Sequence, residues 1–591
     1  MIKKLSKSLR EYKKESILTV VCMVVEAAME VLIPLIIFEF GKCVNPSTGG
    51  DPDINGMIRW GIFMVLAAIA SLVAGMLGGK FCAEASAGFA KNLRYDMFTA
   101  VQGYSFKNID KFSSSSLVTR LTTDVTNVQM AFMMLIRTAI RSPLMLIFSI
   151  VMSFAIDTSL PWIFFVTTPV LVFALSIMIK CAMPIFKKVF KRYDALNESI
   201  QENVKGMRVV KAYVREEYET EKFSKVSNEL CKDFTKAERI LAINSPVMNI
   251  CLQGAILAIT YFGARIIMGG SSALNTLGLQ SLMTYSLQIL FSLQMLSMIF
   301  VMLTMSAESG HRIVEVLEEK STLTNPEHPV MEVKNGDVKF ENVSFRYSNT
   351  AEKYALEDIN LDIKSGETVG VLGGTGSSKT TLVNLISRLY DVSKGSVKVG
   401  DVDVRDYDME VLRNQVAVVL QKNTLFSGTI KDNLRWGDKN ATDEEMVHAC
   451  KLAQADEFIR QFPKGYDTMI TQGGTNVSGG QKQRLCIARA LLKKPKVLIL
   501  NDSTSAVDMK TDALLRAAFR QYIPDTTKII IAQRVASVMD ADKIVIMNSG
   551  RIDDIGTHDE LLKRNEIYRE VYYSQNKQTT PDNEEGGALN G

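Results

Sequence analysis

Six apolar segments lie in the first half of the chain, and they restrict its fold more than any other feature. Each is predicted to cross a lipid bilayer as a helix, because about twenty apolar residues span the hydrocarbon core and all backbone polar groups there must be bonded internally. The third reaches that length only if it begins near Met133 and carries Arg137 and Arg141 at its cytoplasmic end. The predicted spans are residues 17–40, 58–77, 143–155, 161–179, 240–267 and 279–305.

The lysines and arginines near these spans predict their orientation. Six of them precede the first span, whereas the short loops near Asp157 and Ser271 carry almost no charge. Because basic residues concentrate on the cytoplasmic side, both termini are predicted to be cytosolic. Residues 1–16 are interpreted as a basic helix on the membrane surface rather than a cleaved signal peptide, since the apolar run that follows is longer than a signal core.

Composition excludes several other classes of protein. The chain has 591 residues, which is too long for one core, and after about Met331 the composition is that of a soluble domain. A net charge of +4 is too small for this length to indicate nucleic-acid binding. The eight cysteines are scattered with no CxxC pair, so neither a disulfide framework nor a zinc site is predicted.

Residues 373–380 (Gly-Gly-Thr-Gly-Ser-Ser-Lys-Thr) match the phosphate-binding loop pattern G-x-x-x-x-G-K-[ST] except at Ser378. The loop lies between a strand-like and a helix-like segment, so its N–H groups and the start of the helix are expected to bind phosphate. Lys379 is predicted to reach the outer phosphates and Thr380 to bind magnesium. Ser378 keeps its N–H, so binding should survive unless the loop needs a dihedral that only glycine tolerates. Alone, this motif leaves kinases and GTPases open.

Residues 477–481 (Val-Ser-Gly-Gly-Gln) resemble the LSGGQ signature of ABC ATPases. With the six spans and the phosphate-binding loop, the chain resembles a half-transporter of the ABC exporter family. This resemblance implies a polytopic α-helical membrane domain of six transmembrane helices, fused to an α/β P-loop ABC ATPase domain. The expected divisions are a surface helix at 1–16, a membrane domain at 17–310, a linker at 311–335, the ATPase domain at 336–573 and a disordered tail at 574–591.

The same resemblance assigns roles to the long polar stretches between spans. They are expected to be helical extensions, each ending in a short coupling helix that transmits force from the ATPase, and residues 106–122 and 205–217 are the matching stretches. The alternative is a solvated helical hairpin without that role.

The resemblance also implies a site for ATP and Mg²⁺. Tyr347 would stack on adenine, Gln421 would contact the metal and the attacking water, and Asp508 would lie in a loop that crosses a dimer interface. Ser478 would act in trans on the nucleotide of a second domain. The expected metal ligands are Thr380, Gln421 and Asn501. The expected nucleotide-binding residues are Tyr347, Gly373, Gly374, Thr375, Gly376, Ser377, Ser378, Lys379, Thr380, Thr381, Ser478, Gly479, Gly480, Gln481 and Asp508.

Three positions of the chemical step depart from the family pattern. Asn501 stands where an aspartate binds magnesium, Asp502 where a glutamate positions or deprotonates water, and Gln533 where a histidine contacts the γ-phosphate. Because a positioned acid or base supplies about 10²–10⁴ in rate, binding is expected to persist while hydrolysis is slow. The alternative is that Asp502 and Gln533 suffice with a shifted water.

This pattern resembles the degenerate-site subunit of a heterodimeric exporter. A second half-transporter would then be the partner, and its hydrolytic site would use Ser478, Gly479 and Gly480 of this chain. Amphipathic drugs or lipids are the expected cargo, carried outward across a bacterial-type plasma membrane. The rivals are a homodimeric exporter with two slow sites and an ATP-gated regulatory or channel-like protein.

Glu26 and Glu30 lie one helical turn apart in the first span. Because a carboxylate facing lipid is unfavourable, both are expected to face the interior of the helix bundle. Either they bind a cationic substrate, or they pair with Arg137 or Arg141.

Overall fold

The computed structural model describes residues 1–44, 52–269, 274–348, 351–502 and 507–576. The chain divides into two compact units. The first contains Met1–Gly103 and Ser113–Glu319, and the second contains Tyr104–Phe112 and the chain from Lys320 onward. Of the predicted tail at 574–591, residues 574–576 are helical and the remainder lies outside the described residues.

The regular elements described before residue 338 are all helices. A 3₁₀ helix (Ser6–Tyr12) and a π-helical turn (Arg120–Asp124) interrupt the α-helices. These helices are α1 (Ile2–Leu5), α2 (Lys13–Val44), α3 (Ile54–Gln102), α4 (Phe106–Lys111), α5 (Ser114–Thr119), α6 (Val125–Ile156), α7 (Trp162–Ala212), α8 (Glu216–Ala242), α9 (Asn244–Gly269) and α10 (Thr276–Glu318).

Within the described residues, six helical stretches are long and apolar enough to cross a membrane, which confirms the predicted number of spans. The third is continuous through α6, so it begins well before Met133 and includes Arg137 and Arg141. The sixth stretch, α10, contacts α2 near Pro34, where the Tyr285 hydroxyl donates to the carbonyl of Val31 at 2.9 Å. Buried residues of α2, α6, α7, α9 and α10 form one cluster, and Cys82 and Ala85 of α3 form a second with Ile136 of α6.

The amino terminus differs from the predicted single surface helix. Arg10 has φ 39° and ψ −113°, which breaks the helix before α2 begins at Lys13. The segment before this break contacts α3, where the Ser8 hydroxyl donates to Asp96 at 2.7 Å and Asn92 donates to the carbonyl of Ser8 at 3.1 Å. Residues 1–12 are therefore not one regular helix but a broken segment that bonds to α3, and its place at the membrane surface stays a prediction.

The two predicted coupling stretches form different structures. Residues 106–122 contain α4, α5 and the start of the π-helical turn. In contrast, residues 205–212 continue α7, and the chain reverses at Val214, whose φ is 52°, before α8. The prediction of a separate short helix in 205–217 was therefore wrong, because nothing before residue 213 stops α7. The end of α10 likewise occupies the first eight residues of the expected linker at 311–335.

The second unit is an α/β structure. Its strands are β1 (Val338–Phe345), β2 (Leu356–Ile363), β3 (Thr368–Gly373), β4 (Lys394–Val399), β5 (Val402–Asp403), β6 (Val416–Val419), β7 (Gly428–Thr429), β8 (Met469–Ile470), β9 (Val497–Asn501), β10 (Thr527–Ile531), β11 (Lys543–Asn548) and β12 (Arg551–Gly556). Its further helices are α11 (Lys379–Ile386), α12 (Met409–Gln415), α13 (Ile430–Leu434), α14 (Asp443–Leu452), α15 (Asp456–Gln461), α16 (Gly479–Leu492), α17 (Met509–Tyr522), α18 (His558–Arg564) and α19 (Glu566–Asn576).

The central sheet has the order β12-β11-β3-β10-β9-β6, and only the β11–β12 pair is antiparallel. The strands β9 and β10 are buried along their whole lengths, which explains their continuous apolar sequences. A second, antiparallel sheet has the order β2-β1-β4-β5. Since ligands of open α/β sheets bind beyond the carboxyl ends of parallel strands, the ends of β3, β6, β9 and β10 mark the site.

Candidate functional site

Four neighbouring parallel strands end at a cavity of about 550 Å³. Gly373 ends β3, Asn501 ends β9, and Gln421 and Gln533 follow β6 and β10 within two residues. This volume is in the range of small-molecule sites. The lining residues are Leu372, Gly373, Gly374, Thr375, Gly376, Ser378, Lys379, Thr380, Thr381, Gln421, Asn501, Asp502, Ile531, Gln533, Ile546, Ile567, Tyr568 and Val571.

Ser378 has the left-handed conformation, with φ 69° and ψ 23°, immediately before α11. The phosphate-binding loop therefore does require, at this position, a backbone conformation that glycine adopts freely. For an L-residue this conformation is unfavourable by about 1–2 kcal/mol. The first residues of α11 still line the cavity, so their backbone N–H groups remain available to bind phosphate despite the strain at Ser378.

The Lys379 ammonium group lies over the loop. Its Nζ donates to the carbonyls of Gly373 and Gly374, both at 2.8 Å, and contacts Ser377 Oγ at 3.2 Å. Partial burial lowers the pKa of Lys379, and the charge of Asp502 opposes that shift. A lysine cation above a phosphate-binding loop can bind the phosphates of a nucleotide as a positive point charge.

Two of the three expected metal ligands are in contact at the end of β9. The Thr380 hydroxyl donates to the Asn501 side-chain carbonyl at 3.2 Å, and Asn501 is only 1% exposed. These are neutral oxygens, a donor type that suits Mg²⁺ when substrate phosphates supply the negative charge. The residues present therefore fit a magnesium–nucleotide complex, with Thr380, Asn501 and Gln421 as the oxygen donors, but without the carboxylate that a buried aspartate would add.

Asp502 receives two side-chain amides on the same oxygen. Gln533 Nε2 donates to Asp502 Oδ2 at 2.8 Å, and Gln421 Nε2 donates to it at 3.3 Å. The backbone of Asp502 is in the left-handed region, with φ 49°, and its N–H donates to the carbonyl of Ile531 at 3.0 Å. One of the two carboxylate oxygens that could accept a proton from water thus already accepts two hydrogen bonds.

Tyr347 lies beside the cavity rather than in its lining. Its hydroxyl is 2.9 Å from that of Thr381, and it is 45% exposed, so its ring is available to a base. Its ring also meets that of Tyr390 edge-on at 5.2 Å. The Tyr390 hydroxyl in turn donates to Asp110 of α4 at 2.6 Å. Within the second unit, the expected adenine-stacking residue therefore contacts α4 through one tyrosine.

The signature residues lie apart from this cavity. Ser478 caps α16, where its N–H donates to Gln481 Oε1 at 2.9 Å and its hydroxyl accepts from the Gln481 N–H at 3.3 Å. Ser478 and Gly479 are exposed, so the start of α16 is open to a second molecule. Asp508 caps α17 by accepting from the N–H of Thr511 at 2.9 Å, and this hydrogen bond lowers the pKa of Asp508. Seven of the expected binding residues in the described ranges do not line the cavity: Tyr347, Ser377, Ser478, Gly479, Gly480, Gln481 and Asp508.

One wall of the cavity was missed by sequence reasoning. It comes from α19, through Ile567, Tyr568 and Val571, with Ile546 of β11 beside them. The apolar residues Ile567, Tyr568 and Val571 at i, i+1 and i+4 signal an amphipathic helix face, although they do not reveal what that face covers.

Models of two protein families match the chain. The model described as ABC transporter transmembrane region matches residues 16–303, and the model described as ABC transporter matches residues 356–505. An uncharacterized ABC transporter ATP-binding protein of Bacillus subtilis (strain 168), YfiB, is 36% identical over 96% of this chain and 97% of its own length. The probable multidrug resistance ABC transporter ATP-binding/permease protein YheI of the same organism is 30% identical over 100% of this chain and 99% of its own.

A solved structure with a similar fold agrees with these matches. It is a bacterial Atm1-family ABC exporter with ATP bound, with a TM-score of 0.82 and 21% identity over 96% of this chain and 100% of that chain. At this identity the likeness supports the fold, which confirms the predicted six-helix membrane domain followed by an α/β ATPase domain. The chain therefore belongs to the ABC transporter family, as an integral membrane half-transporter of the exporter type that carries one ABC ATPase domain.

Proposed function

We propose that this chain is the ATP-binding, degenerate-site subunit of a heterodimeric exporter. Its own nucleotide, bound with Mg²⁺, acts mainly as a long-lived clamp, and the start of its α16 completes the hydrolytic site of the partner half-transporter. The coupled process is the outward transport of amphipathic drugs or lipids. Both termini are cytosolic in a bacterial-type plasma membrane, as the basic segment before the first span supports.

The observation that carries the proposal is the arrangement around Asp502. Its Oδ2 accepts from two glutamine amides, while the neighbouring metal position is the neutral Asn501. Gln533 donates to this carboxylate, but a neutral amide does not exchange a proton near neutral pH as histidine does. Binding groups are thus retained at a site where proton transfer and metal charge are both weakened.

The signature supports the division of labour between two chains. The exposed N-terminus of α16, with its backbone N–H groups and the Ser478 hydroxyl, offers a phosphate-binding surface outside this chain's own cavity. A second ATPase domain is the natural source of that phosphate. The partner would be a half-transporter whose own site carries the glutamate and histidine that this chain lacks.

The membrane unit gives little information about the transported substrate. Arg141 of α6 contacts Glu30 at 2.5 Å and Glu26 at 3.6 Å on α2, so Arg141 rather than Arg137 is their ion-pair partner. This pairing favours a structural role for the two carboxylates over direct binding of a cation. The name of the relative YheI, a probable multidrug resistance ABC transporter, supports drugs as one class of the proposed cargo.

The test is magnesium-dependent ATP hydrolysis by the purified chain in lipid, alone and then with a candidate partner. We expect ATP binding with almost no turnover alone and strong turnover with the partner. In the pair, Ser478→Arg should reduce turnover more than Asp502→Asn, because only Ser478 serves the active site. Lys379→Ala is the control for specific nucleotide binding.

Two results would contradict the proposal. Robust turnover by the chain alone, absent in Lys379→Ala, would make it a homodimeric exporter. Ion currents that need ATP binding but no hydrolysis would make it a gated membrane protein.

A further inference from the structure

A glutamine on the last helix binds the loop that carries Gln533. Gln575 Nε2 donates to the backbone carbonyl of Gln533 at 2.8 Å, and Gln575 Oε1 accepts from the backbone N–H of Val535 at 2.9 Å. One side-chain amide therefore bonds both backbone groups that flank Arg534. A pair of such bonds fixes the position and the orientation of a peptide segment, because each removes a different rotation.

Gln575 is itself held by the packing of α19. Val571 and Ile567, one and two turns earlier on the same face, pack against the core of the second unit and line the nucleotide cavity. Tyr568 is 1% exposed, and its hydroxyl lies 2.6 Å from Nδ1 of His558. The helix is thus anchored at its start, so the position of Gln575 at its end is determined by the core.

The bonds of Gln575 bear on the chemistry through Gln533. The same residue whose carbonyl accepts from Gln575 donates its side-chain amide to Asp502 Oδ2 at 2.8 Å. A shift of the backbone at Gln533 would move that amide relative to both Asp502 and the phosphate-binding loop. Misplacement on the scale of 1 Å is enough to slow an enzymatic step by about 10²-fold.

We infer that Gln575 is a positioning residue: it fixes the backbone of residues 533–535, and through Gln533 it sets the geometry at Asp502 and the terminal phosphate of ATP. This inference rests on the proposed ATP site, and it adds α19 to the elements that control what happens there. Gln575 contacts no reacting atom, so its effect should fall on turnover rather than on nucleotide affinity.

The experiment compares the full chain in lipid with Gln575→Ala and Gln575→Glu. Glu570→Gln is the matched control, since Glu570 is an exposed residue of the same helix. Hydrogen exchange of residues 533–537 reports the bond to Val535 without nucleotide. Release of labelled γ-phosphate across a range of ATP concentrations separates kcat from the affinity for ATP and detects slow turnover.

In Gln575→Ala we expect exchange at residues 533–537 to rise about tenfold and kcat to fall about fivefold to tenfold, the scale of one or two neutral hydrogen bonds. ATP affinity should stay within about twofold. The control should match the wild type in all three measurements.

Gln575→Glu provides a readout that a packing role would not give. At pH 7.5 its carboxylate accepts from Val535 but repels the carbonyl of Gln533, so it should behave like the alanine variant. Near pH 5 a fraction of the carboxyl groups is protonated, and these can again donate to that carbonyl. The ratio of variant to wild type, measured at each pH, should therefore recover on acidification.

Four results are decisive. Unchanged exchange in Gln575→Ala would overturn the backbone bonds, and raised exchange with unchanged kcat would overturn the positioning role. If Gln575→Ala instead lost both its ATP affinity and its folded structure, Gln575 would have a general structural role. If the wild type itself fails to bind ATP, the proposed function is wrong, while the exchange measurement still decides whether Gln575 fixes this segment.

Discussion

The nucleotide cavity has two halves that differ in how closely they follow the ABC family pattern. The binding half, formed by β3, the phosphate-binding loop and α11, departs only at Ser378, which keeps the required left-handed backbone. The reaction half, at the ends of β6, β9 and β10, carries Asn501, Asp502 and Gln533. Binding depends largely on backbone N–H groups, whereas proton transfer depends on particular side chains, so one sequence can retain the first while losing the second.

The largest effect should come from rebuilding the reaction half. The triple variant Asn501→Asp, Asp502→Glu, Gln533→His should raise hydrolysis at this site by about 10²-fold or more, because it restores the metal's charge and a positioned base. Phosphate release by the full chain alone in lipid measures it.

The same triple change in a Lys379→Ala background serves as the control and should remain inactive. An unchanged rate in the triple variant alone would mean that Asp502 and Gln533 already form a competent site, and the contrast between the two halves would disappear.

Removing the charge of the binding half should have the next largest effect. Lys379→Ala should weaken ATP binding by about 10- to 100-fold, the scale of hydrogen bonds from a charged group. Titration with a fluorescent ATP analogue measures this change.

Lys422→Ala is the matched control, because Lys422 is a lysine of the same unit that does not line the cavity. If Lys379→Ala bound ATP normally, the loop's backbone alone would account for binding.

A smaller effect is expected from breaking the hydrogen bond between Tyr390, which contacts Tyr347, and Asp110 of α4. Burial raises the pKa of Tyr390, and the bond with Asp110 raises it further, so its hydroxyl stays a donor. Tyr390→Phe and Asp110→Ala should each speed hydrogen exchange of residues 106–112 by about tenfold, because each removes one partner of this bond.

The double variant should be no worse than either single one, since both remove the same bond. Tyr354→Phe, which alters another tyrosine hydroxyl of the unit, should leave this exchange unchanged. Additive effects of the two substitutions would show that the hydroxyl and the carboxylate act separately.

The smallest effect should come from Ser378→Gly. Glycine removes the strain of the left-handed conformation, so ATP affinity should rise by up to about fivefold, while the greater freedom of the unfolded chain offsets part of the gain in stability. Equilibrium titration with ATP measures it.

Ser549→Gly is the control, since Ser549 has φ 49° but lies outside the cavity lining. If both variants raised ATP affinity equally, local strain in the phosphate-binding loop would not be the cause.

The sequence predicted the elements around the site well, because each produces a local pattern. The apolar runs before Gln421, Asn501 and Gln533 are the buried strands β6, β9 and β10, and the glycine-rich loop follows β3. The prediction failed where the local pattern was ambiguous. The sequence around residue 205 favours helix throughout, so it did not show that α7 continues there without a break. The basic residues within 1–16 favour a surface helix, so they did not predict the break at Arg10.

By itself, the sequence determined the number of membrane spans, the positions of the phosphate-binding loop and the signature, and which residues follow the buried strands at 501, 502 and 533, because apolar length, glycine spacing and residue identity can all be read along the chain. Only the tertiary structure decided that Arg141 pairs with Glu26 and Glu30, that two glutamines share one oxygen of Asp502, and that Gln575 binds the Gln533 segment. These contacts join residues 31 to 115 positions apart, and such pairings depend on how helices and strands pack rather than on any local pattern.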